Sequence, residues 1–544
     1  MNAKGMTAYE KIYKFVLNFI GFDIGEVILD FWEEQSKAAK TAFLSACFIG
    51  FISHIFVYTG RFFGRDDMGI IRRLEPMVGT GRWFTTVITN FSYGYILPLV
   101  SGVFVTFFLA VSAFYVCKLF NIQKKLNAVL IAGLMSTFPS IANTNLFLYD
   151  TSNYHFGVML AVLAVYVTAK FKFGFLAGAF FSMLTLAIFQ SKFNIVLILS
   201  VLYLINELLD EKKDFGSILK QNIVKFTALA GLGALLYIIS LPISFFIHNT
   251  TFNEYRGFSP GSIMDRLFNV SGFVLALENT YQNYFAGFFG NIYLIMDMLR
   301  YAYVVLMMFG ILLLYVIVAE KKLHTQNLRL MFIILLVLLI PFASNFSNFF
   351  DTYDAYGLMI YAFVFTLVFI IVLSEKSKIF FPVAKSVISV LMAVVIANYI
   401  IGNNVFYLRA HYVNQRTHSF TIRLLNRIDP LLVYSRQITF FGGLPNDYYI
   451  LYSGFAYEHI NIRDGSALTR NVFLNFSYPY HYFSLLQFAA NIRNNHGVYV
   501  HFLGFGEERD IIEEVMRETN MPVWPREGSV GIINGVVVIN FGLD

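Results

Sequence analysis

Residues 60–84 read GRFFGRDDMGIIRRLEPMVGTGRWF and follow directly on a long apolar run. Two adjacent carboxylates, Asp66 and Asp67, stand among five arginines, Arg61, Arg65, Arg72, Arg73 and Arg82, with Glu75 as a third acid and no lysine. The planar guanidinium fork matches phosphate oxygens better than an ammonium does. A carboxylate beside such a cluster can take the proton of an attacking hydroxyl while the cations stabilise a departing phosphate. Glycosyl transfer from a polyprenyl-phosphate sugar needs both roles at the membrane surface, because the donor's tail lies in the bilayer and its phosphate at the interface. A solvated loop of loose ion pairs, each worth about 0–1 kcal/mol, is the alternative.

The elements that must position this loop are membrane spans. The chain has 544 residues, 57% of them hydrophobic and only 14% charged, with a mean hydropathy of +0.62. A soluble domain of ordinary composition is nearer a quarter charged. Eleven apolar runs near the length that crosses a bilayer predict helices at 41–59, 95–117, 126–142, 154–169, 173–189, 193–208, 223–247, 298–319, 329–344, 354–374 and 380–401. Short connections make 154–169 with 173–189, and 173–189 with 193–208, expected helical hairpins. The reading is a polytopic α-helical membrane protein.

Alternate loops carry the cations. Lys118, Lys124, Lys125, Lys170, Lys172, Lys212, Lys213, Lys220, Lys321, Lys322 and Lys376 fall on one set, while 143–153 and 345–353 carry no Lys or Arg. Positive loops face the cytoplasm. The N-terminus is therefore expected inside, with 60–94, 248–297 and everything after 402 outside. The net charge of +6 follows from this loop bias rather than from nucleic-acid binding. Residues 1–40 read as amphipathic helices on the cytoplasmic surface. Residues 41–401 read as the membrane domain, and 248–297 as helices lying in the outer interface. Residues 402–544 alternate strand-like and helical segments and are expected to form an extracytoplasmic α/β domain. The first strongly apolar run starts near Lys40, which does not read as a cleaved leader. Cys47 and Cys117 fall inside expected spans and read as small apolar side chains.

At this point several stretches resemble a known family. AFLSACFIGFISHIFVYTG, then RDDMG and GRWF, are similar to the type II glucosyltransferases of bacteria and phages. These modify O-antigen and other surface polysaccharides and belong to the C-type integral-membrane glycosyltransferases. NTNLFLYDTSNYHFGVMLAVLAVYV, AIFQSKFNI and MPVWPREGSVGIINGVVVINFG are similar to later stretches of that family, with Phe189 where it often has an aromatic hydroxyl. The resemblance implies an inverting hexosyltransferase, with glucose the commonest sugar. Its donor is undecaprenyl-phosphate sugar and its acceptor a surface polysaccharide, either O-antigen or wall glycopolymer. It implies Asp66 or Asp67 as the base; the other would orient the acceptor or hold a divalent cation such as Mg²⁺ or Mn²⁺. It also implies two partners, a small flippase and a cytoplasmic enzyme that charges the lipid.

Arg65, Arg72, Arg73 and Arg82 are the phosphate candidates. Gln190 with Lys192, on an outer hairpin tip, could reach the same phosphate. Asp150 and His155 could contact sugar hydroxyls, and Tyr281 and Tyr284 could line a lipid or sugar groove. His54 reads as a packing histidine. Three other readings compete. A transporter or flippase would show charged residues near mid-membrane and an inverted repeat, and neither is visible. A polymerase or ligase of lipid-linked glycans would place its key residues in a late, large outer loop. A non-catalytic subunit would tolerate neutral residues at Asp66 and Asp67. The chain has no phosphate-binding P-loop, no zinc-spaced His/Cys cluster and no nucleophile elbow.

Overall fold

The computed structural model describes residues 23–60, 77–92, 94–254, 260–289, 298–350, 357–377, 382–442, 492–493, 496–504 and 506–542. Asp66 and Asp67, together with Arg61, Arg65, Arg72, Arg73 and Glu75, lie outside these residues. So do residues 1–22 and the segment 443–491.

Helix α1 (Ile24–Glu33) starts where the Asp23 carboxylate accepts the backbone N–H of Gly25. It leaves Val27, Ile28, Leu29 and Phe31 exposed. The first span, α2 (Lys37–Thr59), is capped by Ser36. Its inward stripe is small: Ala38, Ala42, Ala46, Gly50 and Ser53 are all buried. Small residues let helix backbones approach closely where lipid supplies no hydrophobic drive. Its other face, with Phe48, Phe51 and Ile52, is exposed. After the short α3 (Trp83–Thr89) come α4 (Pro98–Leu119), α5 (Lys125–Thr137), α6 (Pro139–Asn145), α7 (Thr151–Lys170), α8 (Gly174–Ile188) and α9 (Phe193–Leu208). Next are α10 (Val224–Ile247), α11 (Pro260–Phe268), α12 (Val270–Phe289), α13 (Met298–Glu320), α14 (Asn327–Ser344), α15 (Val364–Lys376) and α16 (Pro382–Ile428).

Among the described residues ten helices are long and apolar enough to cross a membrane. The run expected as a span at 173–189 forms α8, of 15 residues. At 1.5 Å per residue it covers about 22 Å, less than a hydrocarbon core of about 30 Å. Of the two expected hairpins, α7 and α8 pack along each other. Helix α9 instead turns away to lie chiefly against α14, and α8 takes α10 as its second neighbour.

The expected helix at 126–142 is broken. Pro139 cannot donate a backbone N–H and bars the helical conformation at Phe138, which is extended at ψ 134°. The break leaves three carbonyls of α5 without helical partners, and side chains from three other helical segments take them. Tyr361 Oη donates to Met135 O at 2.7 Å, His54 Nε2 to Ser136 O at 2.9 Å and Asn403 Nδ2 to Thr137 O at 2.8 Å. Away from water, freed backbone groups must be met in this way.

The last expected span, 380–401, is only the first part of a 47-residue helix, α16. No proline interrupts it until Pro430. Its end packs Phe420, Leu424, Leu425 and Ile428 against a small sheet. That sheet contains β1 (Gln437–Phe441), β2 (His501–Phe502), β3 (Val530–Ile533) and β4 (Val536–Asn540), in the order β2-β1-β4-β3. β1 runs parallel to β2 and β4, with Ile438 opposite Val537, and β3 pairs antiparallel with β4. Helix α17 (Glu507–Glu518) covers one face through Ile512 and Met516, which pack with Phe441 and Val538.

Candidate active site

The connections without lysine-rich flanks converge at one end of the helical bundle. Residues 77–92 form a clasp there. Gln190 Nε2 donates to Thr80 O at 2.9 Å and to Tyr237 Oη at 3.0 Å, and Tyr237 Oη donates to Gly81 O at 3.2 Å. Trp83 Nε1 donates to Ser240 Oγ, and Thr85 Oγ1 to Ile188 O. Gly81 has φ +80° and lies so close to Tyr237 that an added Cβ would meet Oη at 2.3 Å. Both the left-handed backbone and the contact therefore call for glycine at this position. Gln190, expected at the phosphate, is engaged in holding this clasp.

Arg82 emerges from the clasp and is nearly buried. Its guanidinium lies 4.5 Å from the centre of the Phe189 ring, and Nη1 makes a long bond of 3.4 Å to Tyr154 Oη. Tyr154 in turn stacks on Phe189, with ring centres 4.8 Å apart. Tyr154 carries no local sequence signal, because one tyrosine in an aromatic-rich chain does not stand out.

Lys192 approaches the same ring, 5.7 Å from its centre, and lies 5.9 Å from that of Tyr361. It sits in the turn Gln190–Lys192 between α8 and α9 and is 3% exposed. Among the described residues its ammonium has one hydrogen-bond partner, the carbonyl of Leu358 at 3.0 Å, and no carboxylate in ion-pairing reach. The neighbouring Ser191 hydroxyl is also buried without a partner. Burying an ammonium without a counter-charge is costly, and ring faces offset only part of that cost. Two cations on one ring, with the buried Ser191 hydroxyl beside them, suit a ligand that brings anionic oxygens.

Asp150 and His155 lie close by. Asp150 is fully buried at the start of α7, and its Oδ1 accepts from Asn153 Nδ2 at 3.0 Å. Asn153 Nδ2 also donates to Thr89 Oγ1, which ties α7 to the clasp helix α3. His155 is buried, with Nδ1 2.7 Å from Thr151 O. A carbonyl can only accept, so Nδ1 carries a proton, and in its neutral form His155 presents Nε2 as an acceptor. Nε2 has no partner among the described residues, and Lys192 and His54 are close enough to interact with the ring electrostatically. An open acceptor here suits a hydroxyl.

Tyr281 and Tyr284 sit apart from this cluster. Tyr284 is buried between α12 and α15, its Oη 2.9 Å from Thr366 Oγ1. Tyr281 Oη donates to Leu338 O at 2.8 Å. His54 is buried with both ring nitrogens engaged, by Tyr407 Oη and Ser136 O. Among the described residues no group of three His, Cys, Asp or Glu side chains is placed to hold a metal ion.

At the opposite end of the bundle, cations of the lysine-rich loops cap the C-terminus of α9. Arg329 donates to Leu208 O at 2.7 Å, Asp210 O at 2.5 Å and Lys213 O at 3.2 Å. Lys321 reaches Leu209 O, and Lys376 reaches Asn206 O. Cations there neutralise the negative end of α9. Lys192, at the other end, caps no helix C-terminus among the described residues.

No curated protein and no solved structure matches the chain significantly. The family model described as Glucosyl transferase GtrII matches residues 55–367. That range takes in the clasp, Arg82, both turns flanking α7, and Lys192 with its Leu358 partner. The match extends over more than half of the chain, and the protein belongs to the GtrII glucosyl transferase family.

Proposed function

We propose that the protein transfers glucose, with inversion, from undecaprenyl-phosphate glucose to a surface polysaccharide on the outer face of the bacterial cytoplasmic membrane. The observation that carries the donor assignment is Lys192, a buried ammonium with a single carbonyl partner that shares the Phe189 ring with Arg82. A phosphate seated there would supply the missing counter-charge, and membership of a glucosyl transferase family supplies the sugar. The loop bias in lysine supports the outer face.

In this reading an acceptor hydroxyl attacks the anomeric carbon. A new carbon–oxygen bond forms as the bond from that carbon to the phosphate oxygen breaks. The bonding pair stays on the lipid phosphate, where Lys192 and Arg82, joined by arginines of 61–76, stabilise it. The hydroxyl proton passes to Asp67 or Asp66. His155 Nε2 accepts a hydrogen bond from a hydroxyl of the sugar. The lipid donor would be charged in the cytoplasm by a second transferase and turned across the membrane by a small flippase.

The test is sugar transfer from a panel of undecaprenyl-phosphate sugars to isolated envelope glycan, by wild type, Asp66→Asn and Asp67→Asn, with and without EDTA. Collapse of transfer in one Asn variant, with donor binding retained, identifies the base. Equal transfer by all three proteins removes the aspartates from the reaction. Loss of transfer in EDTA would assign a divalent cation to the site. Donor binding without transfer from any sugar would favour a transporter.

A further inference from the structure

Helix α16 carries a line of polar side chains into the membrane domain, where they are costly unless they have a task. Asn403 bonds Ser53 Oγ at 3.0 Å as well as Thr137 O. One turn on, fully buried Tyr407 meets His54 Nδ1 at 2.7 Å and Asn145 Nδ2 at 3.2 Å.

The directions of these bonds follow from donor chemistry. Ser136 O can only accept, so His54 carries its proton on Nε2 and leaves Nδ1 as an acceptor. Tyr407 O–H therefore donates to His54, and its oxygen accepts from the Asn145 amide. The other end of that amide, Oδ1, accepts from Thr151 Oγ1 at 2.7 Å. Thr151 to Asn145 to Tyr407 to His54 to Ser136 is a chain in which every donor points the same way, and bonds in such a series reinforce one another. It starts on the first turn of α7, whose Thr151 carbonyl orients His155. It ends at the Ser136 carbonyl freed by the Pro139 break. The helix that supplies Tyr407 continues unbroken into the core of the C-terminal sheet. Tyr407 lies beyond the range matched by the family model, 55–367.

We propose that Tyr407 is a positioning residue: through Asn145 and Thr151 it holds the first turn of α7, and with it His155, and so ties the C-terminal sheet to the transfer site. The inference rests on the reading of His155 as a sugar contact. Two arms test it on full-length protein in nanodiscs.

The first arm is a double-mutant cycle in sugar transfer. Tyr407→Phe removes one hydroxyl, and its loss of transfer should be about tenfold, the equivalent of about one hydrogen bond. In a His155→Gln background the same change should cost less than about twofold, because coupled residues are not additive. Losses that multiply, or a Tyr407→Phe variant as active as wild type, would overturn the proposal. The second arm needs no substrate. Backbone hydrogen exchange across 146–153 should quicken in Tyr407→Phe. It should not do so in Asn403→Ala, which loosens the same helix without touching the chain. Unchanged exchange in Tyr407→Phe, or equal quickening in both variants, would overturn the link even if the donor assignment stands. Quickened exchange confined to Tyr407→Phe would uphold it even if that donor fails.

Discussion

Lys192 is an awkward residue for stability where it lies. It sits in the turn between α8 and α9, yet the ammonium is folded under Leu358 and between two rings. Removing the charge with a side chain of similar length should relieve the cost of burying it. Lys192→Met is therefore expected to unfold at the same temperature as wild type or higher. Its sugar transfer should fall by about 10²–10³, the usual effect of deleting one group that stabilises a developing anion. Thermal unfolding and steady-state transfer measured on one preparation check both halves, and unimpaired transfer would take Lys192 out of phosphate binding. The residue was legible in the sequence because a lone lysine stands out on a cation-poor connection. What it touches was not fully legible, since Leu358 and Tyr361 come from a distant segment of the chain. Gln190, adjacent to Ser191 and Lys192, serves the clasp instead. Position in a motif did not separate the two roles, because successive residues of a tight turn point in different directions.

At the scale of elements, both ends of the bundle are organised by unpaired backbone groups. The Pro139 break hands three carbonyls to side chains of other helices. The end of α9 hands its carbonyls to Arg329, Lys321 and Lys376. Arg329→Met would orphan carbonyls in a buried place, at about 1–3 kcal/mol for each group left unsatisfied. The expected outcome is a clearly lower unfolding temperature with unchanged transfer per folded molecule, because this end lies across the bundle from Lys192. A loss of kcat in the folded fraction would contradict that separation. The positions of the spans were readable from apolar run length, within a few residues at most ends. The short α8 and the turning away of α9 were not, because loop length sets which helices can be antiparallel neighbours but not which face wins the packing.

At the scale of the molecule, α16 joins the membrane domain to the C-terminal sheet, and a histidine pair lies where they meet. His418 on α16 stacks on His496, with ring centres 4.9 Å apart and planes inclined by 21°. Partial burial, and then the neighbouring His418, hold His496 below the usual 6.5. A histidine lowered in the folded state binds its proton more readily when unfolded. Its neutral form costs the fold nothing at high pH, and stability is lost as pH falls from about 6.5 towards the lowered value. Thermal unfolding of the C-terminal region should therefore weaken between pH 7.5 and pH 5, and His496→Phe should flatten that dependence. A wild-type profile already flat over this range would dismiss the pair as a source of pH sensitivity.

Composition and run length alone determined that this is a helical membrane protein, roughly where its spans lie, and which loops carry cations. These are properties of consecutive residues, set by the length of a helix against the thickness of a bilayer. The motifs along the chain also carry the family, whose model matches residues 55–367. The tertiary structure alone decided that Arg82 and Lys192 share one ring, that Tyr284 is spent in the core, and that the last span continues to Ile428. Those outcomes depend on which distant side chain meets a freed carbonyl or an unpaired charge, and no local spacing records that choice.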